Sequence, residues 1–206
     1  CLDVANDLVF ASANNYYRGV NQQEAEDFYN KLKSSDDKQA ISFGLNSTLI
    51  KKNGLIQEKI WRIDSLYGQA IEQVVFYLEK AKQYTENVQQ QKYISVLIDY
   101  YQTGDLRKFD EYNVLWLQEL DGEVDFINGF IESYGDPLGM KGSWEAMVNI
   151  KDHEASIRAD ILSENAQWFE DHSPINKQFR KEEVKGVSAK VINVAMLGGD
   201  CHPATP

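Results

Sequence analysis

The sequence predicts an α+β fold, and three observations predict it. An Asn-Gly pair at Asn53-Gly54 sits between two runs with β-branched and aromatic residues. Three runs of helical periodicity follow one another with short links between residues 65 and 120. From Asp121 onward the texture changes to strand-like segments broken by glycine. Residues 1–120 read as a hairpin and helical-bundle segment, and residues 121–206 as a strand-rich segment with one helix, the two forming one continuous lobe.

Along the chain, QQEAEDFYNKL (22–32) fits a short helix with Ala25, Phe28, Tyr29 and Leu32 on one face. SSDDK (34–38) reads as a solvated turn. Asn-Gly tolerates positive φ at both central positions of a type I′ turn, so residues 46–63 form a hairpin. In residues 65–85, Ile71, Val74, Val75, Leu78 and Ala81 recur at helical spacing. In 86–104, Tyr93, Val96, Leu97 and Tyr100 form one stripe, and Gly104 suits the position just past the helix end. Asp105 caps a third helix whose apolar face is Leu106, Phe109, Tyr112, Trp116 and Leu117. Three helices so closely linked predict an antiparallel bundle.

Further on, EVDFINGFIESYG has strand character, and GSWEAMVNIKD is mixed. Residues 153–170 read as a helix with Ile157, Ile161, Leu162 and Trp168 inward. HSPINKQFRKEEVKG reads as a loop, and VSAKVINVAMLGG (187–199) as a buried strand or a short helix. Trp116, Trp144 and Trp168 stand at core-like positions.

The 206 residues are 43% hydrophobic and 12% aromatic, enough for a sizeable core. A net charge of −11 argues against a nucleic-acid partner, which needs a basic face, and is compatible with basic peptides. No apolar run reaches the roughly 18 residues that a membrane-spanning helix needs, so no membrane partner is expected. Two cysteines, Cys1 and Cys201, make no disulfide framework. A reducing, cytoplasmic compartment is the default expectation. A periplasmic or lipid-anchored protein is the alternative if Cys1 is a mature N-terminus, but the apolar run that follows reads instead as an internal segment.

Catalytic patterns are incomplete. His153-Glu154 opens like a zincin, but Ile157 stands where the second histidine belongs. Cys201 and His202 are adjacent in a loop, a poor geometry for a thiol nucleophile, with no third group to orient them. No phosphate-cradling glycine loop and no nucleophile elbow appears. The acids of ELDGEVD (119–125) suit either a solvated turn or the binding of a substrate amine.

One stretch stands apart: NGFIESYGDPLGMKGSWE (128–145), with four glycines, three aromatics and three acids. Its run Gly129 to Tyr134, followed by Asp136-Pro137 and Gly139, resembles the dipeptidyl peptidase III family of zinc exopeptidases. LYGQAIEQVVFYLEKA, TGDLRKFDEYNVLWL and KGVSAKVINVAMLGGDCHPATP resemble the bacterial, Bacteroides-type branch, and the likeness runs through essentially the whole chain. Members have a helical zinc lobe and a lobe built on a β-barrel, facing each other across a cleft. The resemblance implies that this chain is part of the barrel lobe, with residues 121–206 lining the cleft. The His-Glu zinc motif is not in this sequence. The implied zinc therefore belongs to the intact enzyme, this chain binds none, and the remainder of the polypeptide is its partner.

The implied ligand is a short peptide that loses its N-terminal dipeptide. The acid that holds the substrate amine in the family matches Asp125, with Glu123 as the alternative. The family tyrosine ahead of Gly-Phe has no counterpart, which leaves Asn128 as the polar side chain there. Ala204, Thr205 and Pro206 fall near the segment that pairs with substrate backbone as an added strand. A lobe cut from its enzyme is inactive alone, and its open sheet edges imply self-association. The other reading is a stand-alone, non-catalytic peptide-binding or interaction domain.

Overall fold

A computed structural model describes residues 6–12, 15–33, 41–186 and 191–200. The turn expected at 34–38 lies outside the described residues, as do Cys1, Cys201, His202 and Ala204 to Pro206.

The first half is built around a short three-stranded sheet. Strand β1 (Tyr17–Arg18) pairs in parallel with β2 (Ser47–Lys52), which pairs antiparallel with β3 (Leu55–Ile60). The β2–β3 turn places Asn53 at φ 52° and Gly54 at φ 78°, both positive as the Asn-Gly pair predicts. Helix α1 (Gln22–Leu32) starts at a reciprocal cap. Asn21 Oδ1 accepts from the Glu24 amide at 2.8 Å, and Glu24 Oε2 accepts from the Asn21 amide at 3.2 Å. Ala25 and Tyr29 of α1 pack with Val9, Tyr17, Val20 and Leu49 in a small core.

Helices α2 (Gly68–Ala81), α3 (Val88–Thr103) and α4 (Leu106–Leu117) follow. Asn87 caps α3 and Asp105 caps α4 through their side chains. All four stripe residues expected on α3 are buried, with Ile94, Ile98 and Tyr101 beside them. They form the main core with Trp61, Phe109, Tyr112 and Phe130. A second sheet lies against this bundle, in the order β4 (Val124–Glu132), β5 (Ser143–Lys151), β6 (Ile192–Gly199), all antiparallel. Phe130 and Trp144, paired across β4 and β5, carry the sheet into the helical core. The chain is thus α+β, with two three-stranded sheets among its described residues.

Gly104 ends α3 with φ 76°, and its amide donates to the Tyr100 carbonyl at 2.6 Å. A Cβ there would sit 2.3 Å from Ile60 Cγ2, so left-handed strain and a clash coincide. Gly104→Ala is expected to lower unfolding stability by about 2 kcal/mol, read from the shift in urea midpoint. A midpoint equal to that of the parent would contradict this account of the helix end.

Several expectations are corrected. Leu32, Ala81 and Leu117 are exposed, and Leu115 fills the core position on α4. The mixed segment after Gly142 is a full strand, β5. The run expected as one helix is two, α5 (His153–Glu164) and α6 (Ala166–Asp171), separated at Asn165. Ile157, Ile161, Leu162 and Trp168 are 54–62% exposed, not inward. Periodicity shows that a helix has an apolar face but does not supply the partner, and no described residue covers this one. The described part of the final apolar run, β6, is a strand but not a buried one: Val194 and Met196 are exposed.

Candidate functional site

The acidic corner forms where α4 hands over to β4. Buried Glu119 accepts from the backbone amides of Asp121 and Gly122 at 3.0 and 2.8 Å. Its Oε1 also takes the Asn87 side chain at 3.0 Å. Glu86 Oε1 and Oε2 accept from the amides of Val124 and Glu123. Two of these acids therefore satisfy turn backbone that would otherwise lack partners, which is a folding task.

Asp125 differs. It is half-buried, and its Oδ1 accepts from the Trp116 indole N–H at 2.7 Å and from the Phe126 amide at 2.9 Å. No described residue donates to Oδ2. Helix α4 sets the indole, the strand sets the carboxylate, and the result is an oriented acceptor with one oxygen to spare. Glu123, just ahead of β4, pairs with His153 Nε2 at 2.6 Å, with both side chains well exposed.

Asn128 lies on the other face of β4, as residues three apart on a regular strand must. Its Oδ1 accepts from the Tyr101 hydroxyl, which itself accepts from the Trp144 indole N–H at 2.8 Å. Asn128 thus belongs to a hydrogen-bonded chain inside the sheet–helix interface, and it shares no partner with Glu123 or Asp125. Gly129 follows Asn128 on β4. A Cβ there would lie 2.7 Å from Phe109, so only glycine lets α4 pack this close to β4.

The glycine-rich loop after β4 proves to be an anchor. Asp136 is 4% exposed, and its Oδ2 accepts from the Tyr17 hydroxyl and the amides of Met140 and Lys141 at 2.8–2.9 Å. Lys141 is fully buried, and its ammonium donates to the Tyr29 hydroxyl and to Ser47 Oγ. Both hydroxyls pass a hydrogen bond to Glu58 Oε1, at 2.8 and 2.7 Å. Burial pulls the Lys141 ammonium down to about 8, against the field of Glu58 and Asp136. Sequence reasoning missed this cluster. Lys141 reads as an ordinary loop lysine between two glycines, and nothing local marks it as buried.

Among the described residues, no group of three or more His, Cys, Asp or Glu is placed to hold a metal ion. His153 is engaged with Glu123, and the His172 ring stacks on Trp168 with centroids 4.4 Å apart. The zinc implied by the resemblance does not fit the residues described.

The model of peptidase family M49 matches residues 12–204. The chain belongs to peptidase family M49. It is 31% identical over 144 residues to dipeptidyl peptidase 3 of Dictyostelium discoideum, an alignment covering 67% of this chain and 21% of that protein. It is 27% identical over 138 residues to dipeptidyl peptidase 3 of Rattus norvegicus, covering 67% of this chain and 19% of that one. Among solved structures, a DPP III from Caldithrix abyssi superposes with a TM-score of 0.71 at 18% identity, over 90% of this chain and 34% of that chain. At that identity the likeness establishes the fold. The M49 chain thus spans about a fifth of these curated relatives and about a third of the solved structure.

Proposed function

We propose that this chain supplies substrate-binding surface to a dipeptidyl peptidase III-like zinc metallopeptidase, which releases dipeptides from the N-termini of short peptides. The observation that carries the reading is the M49 match, which runs through the segment holding Asp125. The activity belongs to the intact protein, whose other part holds the zinc and its chemistry. This chain's own contribution is to bind and orient the peptide.

Asp125 is suited to that task. A peptide ammonium donating to Oδ2 would form a charge-assisted hydrogen bond with a carboxylate already held by Trp116. Because the indole occupies Oδ1, the incoming amine is steered to one side of the carboxylate, which fixes the register of the peptide. The net charge of −11 favours the approach of a cationic N-terminus. Ala204 to Pro206 are the proposed place for main-chain pairing with the substrate.

In the intact enzyme, Asp125→Ala is expected to raise KM and lower kcat/KM by roughly 10–100-fold, the worth of a charged hydrogen bond. Steady-state kinetics on a dipeptidyl naphthylamide checks this. Unchanged constants would remove Asp125 from the site.

A further inference from the structure

Helix α5 is turned the unusual way round. Its small residues face the protein. Ser156 is buried and its hydroxyl accepts from the Val191 amide at 3.2 Å, while Ala155, Ala159 and Ser163 are half-buried on the same side. Its large apolar residues, Ile157, Ile161 and Leu162, are exposed. At about 100° per residue these three centre nearly opposite Ser156, so they point away from the segment the helix rests on. Glu154 and Arg158 lie on the outward side too and pair with each other at 2.6 Å, so that face carries no net charge. Beyond Asn165, Trp168 and Phe169 of α6 pack edge to face at 5.2 Å and are likewise exposed. None of these apolar side chains belongs to either buried core.

Helices of this length owe most of their stability to packing of an apolar face. On α5 that face is turned where no described residue reaches it. A neutral apolar face of this kind marks a contact surface.

We infer that the outward face of α5 is covered, in the intact enzyme, by apolar side chains from another part of the same M49 polypeptide. The inference rests on reading the chain as part of a longer peptidase. The M49 match runs through α5, and the chain covers 34% of the solved relative from Caldithrix abyssi, so most of an M49 polypeptide lies outside it. A segment tethered to the same chain meets the face at an effective concentration on the order of millimolar, which favours it over an independent partner. A second copy of this chain is opposed by its own charge, −11 on each molecule.

The test is made on the intact enzyme. Ile161→Cys is treated with a thiol reagent, and modification at position 161 is read by peptide mass spectrometry, which separates it from Cys1 and Cys201. The native rate is expected to be at least about tenfold below the rate in urea, as for a side chain reached only by local opening. Ile157→Cys, one turn away, should be protected to a like degree. Ile161→Glu should lower the urea midpoint of the intact enzyme. A smaller rate difference at both positions, or a midpoint unchanged by Ile161→Glu, would overturn the proposal. So would protection that appears only as protein concentration rises, because that assigns the face to a second copy. Dipeptide release by the parent enzyme is assayed separately. Protection in a protein that releases no dipeptide would support this packing and remove only the proposed function.

Discussion

Asp136→Ala is expected to lower the stability of the chain by about 3–5 kcal/mol, the usual cost of stripping a buried charge from its partners. Three donors converge on Oδ2, and a fourth, the Leu138 amide, reaches Oδ1 at 3.3 Å. Two donors to Oδ2 belong to the loop's own backbone, at Met140 and Lys141, and one is the hydroxyl of Tyr17 on β1. Alanine leaves buried N–H and O–H groups with no acceptor, at about 1–3 kcal/mol each. It also removes a negative charge that helps keep the buried Lys141 protonated. Asp136→Asn keeps an acceptor oxygen of the same shape and loses the charge, so it should cost roughly half as much. Urea unfolding of the three proteins, read by tryptophan fluorescence, measures both differences. An alanine variant within about 1 kcal/mol of the parent would mean that the loop is not held through this carboxylate.

What was legible in the sequence was local. Asn53-Gly54 announced its hairpin because the turn's geometry depends on two adjacent residues. Asp105 and Gly104 announced the α3–α4 junction because caps act within one helical turn. The features that stayed hidden depend on distant partners. Strand β5 alternates poorly because its two faces meet different surroundings: Trp144 reaches the core, while Asn149 is buried opposite Asp125. Strand β1 has two residues and exists only through its parallel pairing with β2. The candidate site divides in the same way. Family likeness pointed to Asp125, yet its orientation comes from Trp116 on a different element. A cavity lined by aromatic rings draws on positions 16, 61, 67, 130 and 144, which no window of sequence unites.

Lys141 leads to an expectation about pH. Its ammonium is held at about 8 in the fold, against an ordinary value of 10.5 once unfolded. Below pH 8 both states carry the proton, and the desolvation cost is constant. Between about pH 8 and 10.5 the unfolded chain still binds the proton while the native lysine has released it. Stability therefore rises with pH across that window, by up to about 3 kcal/mol at about 1.4 kcal/mol per unit. Tyrosines act in the opposite sense. Burial, then the charge of Asp136, raises Tyr17 well above 10, and burial, then the charge of Glu58, does the same to Tyr29. Stability contributed by their un-ionised hydroxyls is complete below pH 10 and is lost as pH climbs further. The two effects together place the stability maximum near pH 10, unusually alkaline for an acidic chain. Lys141→Met keeps the stem's volume and removes the titrating group. The variant should lose the rise between pH 8 and 10 and keep the fall above it. Urea midpoints taken at half-unit steps from pH 7 to 11 decide the matter. Parallel profiles for parent and variant would show that the buried ammonium does not titrate with the fold.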